Sequence, residues 1–156
     1  MTSTWEMYGT ATVRFWLDDH VLELTPAAPG VRTGATPFGD VTLHVITGFN
    51  PGGRMAAAAV NARAQTALVA ELDALGLTWR PAVGGDFTAG HAEDSVAVAG
   101  LDDRKARAIG RRYGQDAIFA WTPDAWHLLS CQDGRTATSG WTTRTCCDGG
   151  RWDRRW

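Results

Sequence analysis

The sequence predicts a single α+β domain, in which a mostly antiparallel sheet carries two main helices on one face. Three observations support this fold class. The chain has 156 residues, which is the size of one domain. Its 44% hydrophobic and 21% charged residues are typical of globular proteins. From Val41 onward, apolar residues recur with strand and helix periods in the order β-α-β-β-α-β-β.

The N-terminal segment predicts a short helix followed by a hairpin. Trp5, Tyr8 and Ala11 are spaced by three residues, as on one face of a helix. Apolar residues then alternate with polar ones up to Leu17, which predicts a strand, and residues 21–24 predict its hairpin partner. Residues 25–40 contain several prolines and glycines and therefore predict a loop.

The middle of the chain predicts a strand, a helix and a second strand. Residues 41–49 alternate as a strand, residues 55–75 have the helix period, and residues 78–83 form a second strand candidate. Pro81 restricts that second strand to an edge or a bulge. The predicted buried stripe of the helix consists of Val60, Ala64, Leu68, Leu72 and Leu75.

The second half predicts a central strand, a helix and a final hairpin. Asp102 is a natural N-cap for this second helix, and Gly110 inside it indicates close packing on the sheet. The three strands are predicted over residues 95–99, 117–121 and 126–131. Because the connections are short, right-handed crossovers would place both helices on one face, in the split-βαβ or ferredoxin-like plan.

The C-terminal segment 132–156 differs in composition from the predicted domain 1–131. It contains no Leu, Ile, Val, Phe or Met, and Arg and Trp residues are interspersed through it. Such a segment offers little apolar surface to offset the entropy of ordering, so a flexible tail is predicted. Truncation after Cys131 is then expected to leave the melting temperature almost unchanged.

Composition excludes several classes of protein. The net charge of −2 provides no field that would attract nucleic acid or an anionic membrane. No apolar run approaches the roughly 18 residues of a membrane span, and no secretory signal is visible. Cys131, Cys146 and Cys147 have neither disulfide-framework nor zinc-site spacing. We therefore expect a cytoplasmic protein with reduced thiols and without a metal or other cofactor.

The segment from Gly48 to Arg54 is the most suggestive for chemistry. Gly48 and Gly53 have the spacing of a phosphate-binding loop, but Arg54 replaces its Lys and Met55 its metal-binding hydroxyl. Two interpretations remain open. The segment is a turn in which Asn50 satisfies backbone groups, or it binds an anion at the helix beginning near Met55.

Two further patterns carry chemistry-bearing side chains. His91 and Glu93 have the H-x-E spacing of zinc deaminases, but the accompanying P-C-x-x-C is absent, which favours a surface loop. Arg104, Arg107 and Arg111 share one face of the second predicted helix. That face is either solvated or a weak candidate for nucleic-acid binding.

Several segments together resemble one family. They are Thr47-Gly48-Phe49-Asn50-Pro51, Asn61-Ala62-Arg63, Glu93-Asp94-Ser95-Val96 and Gly114-Gln115-Asp116-Ala117-Ile118-Phe119. This combination resembles the bacterial domain of unknown function DUF3293, over about residues 5–131. The chain has Gly48 where the family usually has Ala, and His91 where Trp is expected. The resemblance implies a domain but no activity, substrate or cofactor.

Five polar residues are the candidate ligand-binding residues, because they lie at predicted strand or helix ends. They are Asn50, Arg54, Asn61, Glu93 and Gln115. Their alternative role is to satisfy buried backbone groups. The best functional hypothesis is a small binding module for a polar or anionic small molecule or a protein partner. A small enzyme with Glu93 as acid/base and Arg54 as anion clamp is the alternative, and nucleic-acid binding is a second alternative.

Overall fold

The computed structural model describes residues 3–148, which form short helices and a large sheet. The helices are α1 Thr4–Tyr8, α2 Ala58–Ala74 and α3 Asp103–Arg112, and a 3₁₀ turn spans Pro51–Gly53. The strands are β1 Thr12–Trp16, β2 His20–Ala27, β3 Arg32–Thr33, β4 Leu43–Thr47, β5 Trp79–Asp86, β6 His91–Ala99, β7 Ala117–Trp121, β8 Trp126–Ser130 and β9 Thr136–Asp148.

The sheet closes on itself. Its order is β2-β1-β5-β6-β4-β7-β8-β9, and β9 pairs again with β2, so eight antiparallel strands form a closed barrel. The short β3 adds to β9 in parallel. The predicted open α+β sheet of ferredoxin-like plan is therefore wrong. The helical and strand segments between Leu43 and Ser130 follow the predicted order along the chain, but they belong to a larger and closed sheet.

Two segments that the sequence places at the periphery close this barrel. The N-terminal hairpin joins the sheet through β1 and β5, where Phe15 is opposite Ala82. The segment predicted as a flexible tail instead contains β9, which pairs with both β8 and β2. Its threonines are β-branched and suit a strand, although the segment lacks large aliphatic residues. The rest of the predicted tail, residues 149–156, lies outside the described residues.

The barrel interior is filled by apolar side chains from all eight barrel strands, large ones from six of them and alanines from β5 and β6. Trp121 packs between two other rings, with centroid distances of 5.1 Å to Phe15 and 5.5 Å to Trp141. The buried interior residues are Val13, Phe15, Leu22, Leu24, Leu43, Val45, Ala82, Ala97, Trp121, Trp126 and Trp141. The eight-stranded barrel is thus a packed core rather than an open channel.

A second core lies outside the barrel, where α2 and α3 cover one side of it. Leu68 and Leu72 of α2 are fully buried there, as predicted, together with Ile109 of α3. The predicted stripe of α2 is wrong at its ends, because Val60 and Leu75 are 42% and 59% exposed. Polar residues take the buried positions of the first turns, which the site described below explains.

Helix α3, the second of the two main helices that the sequence predicts, agrees with that prediction. The Asp102 side chain accepts a hydrogen bond from the Lys105 N–H, so Asp102 is the predicted N-cap. A Cβ at Gly110 would lie 2.8 Å from both Cys131 Sγ and Ile118 Cγ2. This close approach confirms why glycine stands inside the helix despite its cost in helix propensity.

The opposite side of the barrel is not covered by helices and carries a ladder of charges. Glu23 of β2 lies between Arg14 of β1 and Arg144 of β9 in register, with N–O distances of 2.8–3.0 Å. Burial opposes ionisation of Glu23, but hydrogen bonds from both arginines outweigh it and hold the pKa of Glu23 below its usual value. The ladder joins three strands across the closure of the barrel.

The substitution Trp141→Ala tests whether β9 belongs to the core. Trp141 is 3% exposed and packs on Trp121, so we expect a loss of about 3–5 kcal/mol in the free energy of unfolding. The measurement is urea denaturation followed by circular dichroism. Thr145→Ala, at an exposed position of the same strand, serves as control and should change the free energy little. Equal, small effects of both would restore the interpretation of this segment as a tail.

The substitution Glu23→Gln tests the charge ladder. It weakens two charge-assisted contacts, so we expect the free energy of unfolding at pH 7 to fall by about 1–2 kcal/mol. Because the folded-state pKa of Glu23 is lowered, its contribution is present above the ordinary value of 4.5 and is lost as the pH falls through the folded value. The deficit of the variant should therefore shrink at acidic pH. Asp40→Asn, at an exposed acid, is the control.

Candidate functional site

Polar residues from four separate elements meet at one end of the barrel. The loop after β4 contains Asn50, which is 7% exposed and has left-handed backbone angles of φ 49° and ψ 60°. Asn is one of the few residues other than glycine that adopts this conformation readily. The left-handed residue turns the chain out of β4 and directs the Asn50 side chain toward α2 and β6.

Asn50 is the centre of a hydrogen-bond network. Its backbone N–H donates to Asn61 Oδ1 at 2.9 Å, and Asn61 Nδ2 donates back to Asn50 Oδ1 at 3.0 Å. The same Oδ1 accepts the Ala56 N–H at 3.0 Å. Asn50 Nδ2 donates to Glu93 Oε1 at 2.8 Å. Asn50 therefore joins the start of α2 to the Glu93 carboxylate on β6.

Two glutamines hold the backbone of the same loop. Gln115 Nε2 donates to the Phe49 carbonyl at 2.9 Å, and Gln65 Oε1 accepts the Gly48 N–H at 2.8 Å. Gln115 thus has the alternative role predicted for it, which is to satisfy buried backbone groups, and Gln65, which was not among the candidates, has the same role. They also explain why polar residues occupy the buried face of α2, where the periodicity predicts apolar ones.

The loop after α3 fits directly against the Asn50 loop. The Gly52 N–H donates to the Gly114 carbonyl at 2.7 Å. Gly114 has a positive φ of 73°, and a Cβ there would lie 2.7 Å from the Pro51 Cβ. Only glycine allows this conformation and this approach together. The contact brings Asp116, two residues further along, to the same end of the barrel.

Glu93 is the acid at the centre of the site. Its side chain is 24% exposed, and Asn50 Nδ2 holds one of its oxygens. His91 Nε2 lies 3.6 Å from that oxygen. Burial raises the pKa of Glu93, although the hydrogen bond from Asn50 and the nearby His91 act in the opposite direction. A partly buried carboxyl with a raised pKa is a typical feature of functional sites.

Tyr8 and Asp116 complete this arrangement, and sequence reasoning does not identify either as a site residue. A Cβ at Gly53 would lie 3.8 Å from the Tyr8 hydroxyl oxygen and 4.0 Å from Asp116 Oδ2. Burial raises the pKa of Tyr8, and the charges of Asp116, Glu93 and Cys131 raise it further, in that order. The phenol therefore stays protonated beside two carboxylates. The Tyr8, Glu93 and Asp116 side chains with the Asn50 loop are called the rim site below.

Arg54 differs from the other four predicted residues. Asn50, Asn61, Glu93 and Gln115 converge, whereas the exposed Arg54 side chain makes no hydrogen bond or ion pair within residues 3–148. Helix α2 begins at Ala58 with Ala57 as N-cap, so Arg54 precedes the helix by four residues rather than opening it. The helix N-terminus and Arg54 thus do not form the compact anion-binding end that the sequence suggests.

The arginines of α3 contact the protein itself. Arg107 donates to the Thr136 hydroxyl at 2.7 Å, and Arg111 donates to the Cys131 carbonyl at 2.9 Å. Arg112 pairs with Glu71 of α2. These contacts attach α3 to α2 and to the segment after β8. Within residues 3–148, no three His, Cys, Asp or Glu side chains group closely enough to hold a metal ion.

Comparison with known families identifies the central part of the chain. Residues 46–118 match the family described as "Protein of unknown function (DUF3293)". Just under half of the chain is thus similar to the DUF3293 family. The resemblance noted in the sequence is thereby confirmed, and the matched span contains Asn50, Asn61, Glu93 and Gln115. Tyr8 lies outside this span, so the DUF3293 match covers the rim site only in part.

One curated relative also matches. The chain is 31% identical over 118 residues to the elloramycin glycosyltransferase ElmGT of Streptomyces olivaceus, and the match covers 76% of this chain. It covers 29% of the glycosyltransferase, so the chain spans less than a third of that enzyme's length. None of the solved structures matches the chain. In the described part of the chain, every helix is too short or too polar to cross a membrane.

The substitution Glu93→Gln tests the electrostatics of the rim site. Glutamine can still accept the hydrogen bond from Asn50, but it removes a charge that burial disfavours. Because the folded-state pKa of Glu93 is raised, its ionisation costs stability as the pH rises above the ordinary value of 4.5. We expect Glu93→Gln to unfold at a higher temperature than wild type at pH 8.

Below pH 4.5 this gain should disappear, because the wild-type carboxyl is then neutral as well. The measurement is the melting temperature across the pH range, with Asp40→Asn as the exposed control. A variant that is less stable than wild type at every pH would contradict the raised pKa. In that case Glu93 would be a stabilising partner of Asn50 and nothing more.

Proposed function

We propose that this chain is a small binding module, and that a polar small molecule binds at the rim site. One observation carries the proposal. The hydrogen bond from Asn50 holds the Glu93 carboxyl in a half-buried position, beside Tyr8 and Asp116. Burial in this position disfavours the ionised form of Glu93. A carboxyl in this position does not stabilise the fold, because burial raises its pKa and so disfavours its ionised form.

The charges of the rim site favour a ligand with a positively charged nitrogen. Glu93 and Asp116 provide two carboxylates, and the Tyr8 hydroxyl provides a neutral donor and acceptor. Asn50 occupies one oxygen of Glu93, whereas Glu93 Oε2 accepts no hydrogen bond from residues 3–148. An ammonium or guanidinium group would donate a hydrogen bond to this free oxygen and would supply the positive charge that balances the carboxylate.

The anionic ligand and the protein partner predicted from the sequence remain alternatives within the proposal. Arg54 is exposed at the edge of the site and is the cation that an anion would use. The two nearby carboxylates oppose an anion at the same place. Nucleic-acid binding has less support, since the arginines of α3 contact other parts of the protein. Location in the cytoplasm stays a prediction from the sequence.

A small enzyme is the second candidate, and the raised pKa of Glu93 is the observation that favours it. A carboxyl whose pKa is raised can hold a proton closer to neutral pH and deliver it as a general acid. Among the described residues 3–148, no hydrogen bond or ion pair positions Arg54 as a clamp in such a reaction. Glycosyl transfer does not enter the proposal, because the matched segment is less than a third of the elloramycin glycosyltransferase.

A thermal-shift experiment with charged probes tests the proposal. Methylguanidine and ethanolamine test for a cationic ligand, and phosphate tests for an anionic one, all at matched ionic strength to exclude general screening. Binding to the native state raises the melting temperature by mass action. We expect the cationic probes to stabilise wild type in a saturable manner, and Glu93→Gln and Asp116→Asn to lose that stabilisation. Asp40→Asn should keep it.

Each other outcome decides between the alternatives. If phosphate stabilised wild type but not Arg54→Ala, the ligand class would be anionic, and the proposal of a positively charged ligand would be excluded. Stabilisation by neither class of probe, at concentrations up to tens of millimolar, would overturn the small-ligand proposal. The protein-partner alternative would then be the one to pursue.

A further inference from the structure

A cavity lies at the barrel end opposite the rim site. The turn between β1 and β2, the start of β5 and the end of β7 are all at this end, as the strand register shows. The cavity has a volume of about 310 Å³. It is lined by Leu17, Asp18, Asp19, His20, Leu22, Ala35, Pro37, Phe38 and Arg80. This volume is at the lower end of the range for small-molecule sites.

The charges at the edge of this cavity are paired with one another. Arg80 forms an ion pair with Asp18, and His20 Nδ1 lies 2.6 Å from Asp19 Oδ1. The hydrogen bond from Arg80 lowers the pKa of Asp18, so this pair remains ionised. The remaining lining residues are apolar. Each ionisable lining residue therefore already contacts another one, and the rest of the lining is apolar, which favours an uncharged molecule.

The same end of the barrel contains buried donors that lack acceptors. The indole N–H groups of Trp121, Trp126 and Trp141 have no hydrogen-bond partner within residues 3–148, and all three side chains are buried. Buried indole N–H groups usually find a partner. Trp121 also lines a smaller cavity of about 10 Å³, which shares Pro37 and Phe38 with the larger one. A ligand oxygen that reaches the buried Trp121 N–H beside this cavity would satisfy that donor.

We propose that this end of the barrel is a second binding site, distinct from the rim site, for an uncharged and mainly apolar molecule with a carbonyl oxygen. Its apolar body contacts Leu17, Leu22 and Phe38, and its carbonyl accepts from Trp121 across the smaller cavity. Eight-stranded barrels are wide enough to hold one small ligand of this kind at their mouth.

Prodan, an uncharged naphthalene with a carbonyl and a dimethylamino group, is the probe for the test. Its emission shifts to shorter wavelength on leaving water, so titration gives a dissociation constant directly. Dimethylaminonaphthalene, which has the same ring without the carbonyl, is the matched control compound. We expect wild type to bind prodan in a saturable manner, and about tenfold more tightly than the control, as one hydrogen bond allows.

Three substitutions assign the binding to this cavity. Leu17→Trp fills it and should weaken prodan binding at least tenfold, whereas Leu75→Trp, at the exposed C-cap residue that follows α2, should not. Trp121→Phe keeps a ring but removes the N–H, so it should abolish the preference for the carbonyl compound. Glu93→Gln should leave prodan binding unchanged, which separates this site from the rim site.

The opposite results overturn the proposal. Absence of saturable binding to wild type, or equal binding by Leu17→Trp, would show that the cavity takes no such ligand. An unchanged carbonyl preference in Trp121→Phe would remove the indole N–H from the site. Circular dichroism verifies the fold of each variant. Phe38→Trp, which fills the cavity from the other side, replaces Leu17→Trp if the latter does not fold.

Discussion

The pairing of β2 with β9 is the constraint on which the rest of the structure depends. It runs from His20 opposite Asp148 to Ala27 opposite Gly140, and it converts a row of neighbouring strands into a closed barrel. Closure gives both strands the backbone partners that a sheet edge lacks. It also places Trp141 inside, against Trp121, and Arg144 outside, against Glu23. The interior aromatic cluster and the exterior charge ladder are therefore consequences of the same pairing.

A closed sheet has two faces with different partners, and this division explains the composition of the strands. On one side of the barrel, α2 and α3 cover the outer face, so residues 43–46 of β4 and residues 95–98 of β6 are buried on both faces and are mostly apolar. On the other side, no helix covers β1 and β2, and polar side chains such as Arg14 and Glu23 alternate with apolar ones. Strands that are buried on both faces have continuous apolar sequences, whereas in half-buried strands apolar and polar residues alternate.

The sequence predicts local structure well and closure poorly, for a physical reason. Asp102 caps α3 through a backbone N–H three residues later in the chain. Gly110 lies directly against the strands that α3 covers. Both roles could therefore be predicted from the residue type and its place in the helix. The strand β9 contains no Leu, Ile or Val, and its stability depends on two partners, one of which lies more than 100 residues earlier in the chain. A pattern within the segment cannot show a partner of that kind.

In the rim site too, residues with a local sequence signal could be predicted, whereas residues that are placed by distant contacts could not. Asn50, Asn61, Glu93 and Gln115 could be identified because each is a polar residue at an element boundary, and the structure joins the first three by hydrogen bonds. The contact between Asn50 and Glu93 spans 43 residues and is made possible by the left-handed turn at Asn50. Tyr8 and Asp116 carry no such signal. They reach the site because β1 pairs with β5, and because Gly114 fits against Pro51.

Glu23 and Glu93 show how the environment of a glutamate decides whether its charge stabilises the fold. Glu23 lies between two arginines that lower its pKa, so its charge contributes to stability. Glu93 receives a single neutral amide donor, and its burial raises the pKa, so its charge opposes folding. A carboxyl whose ionisation opposes folding is a candidate for a functional role. The same residue type in one barrel therefore stabilises the closed sheet on one side and is a half-buried carboxyl with a raised pKa at its end.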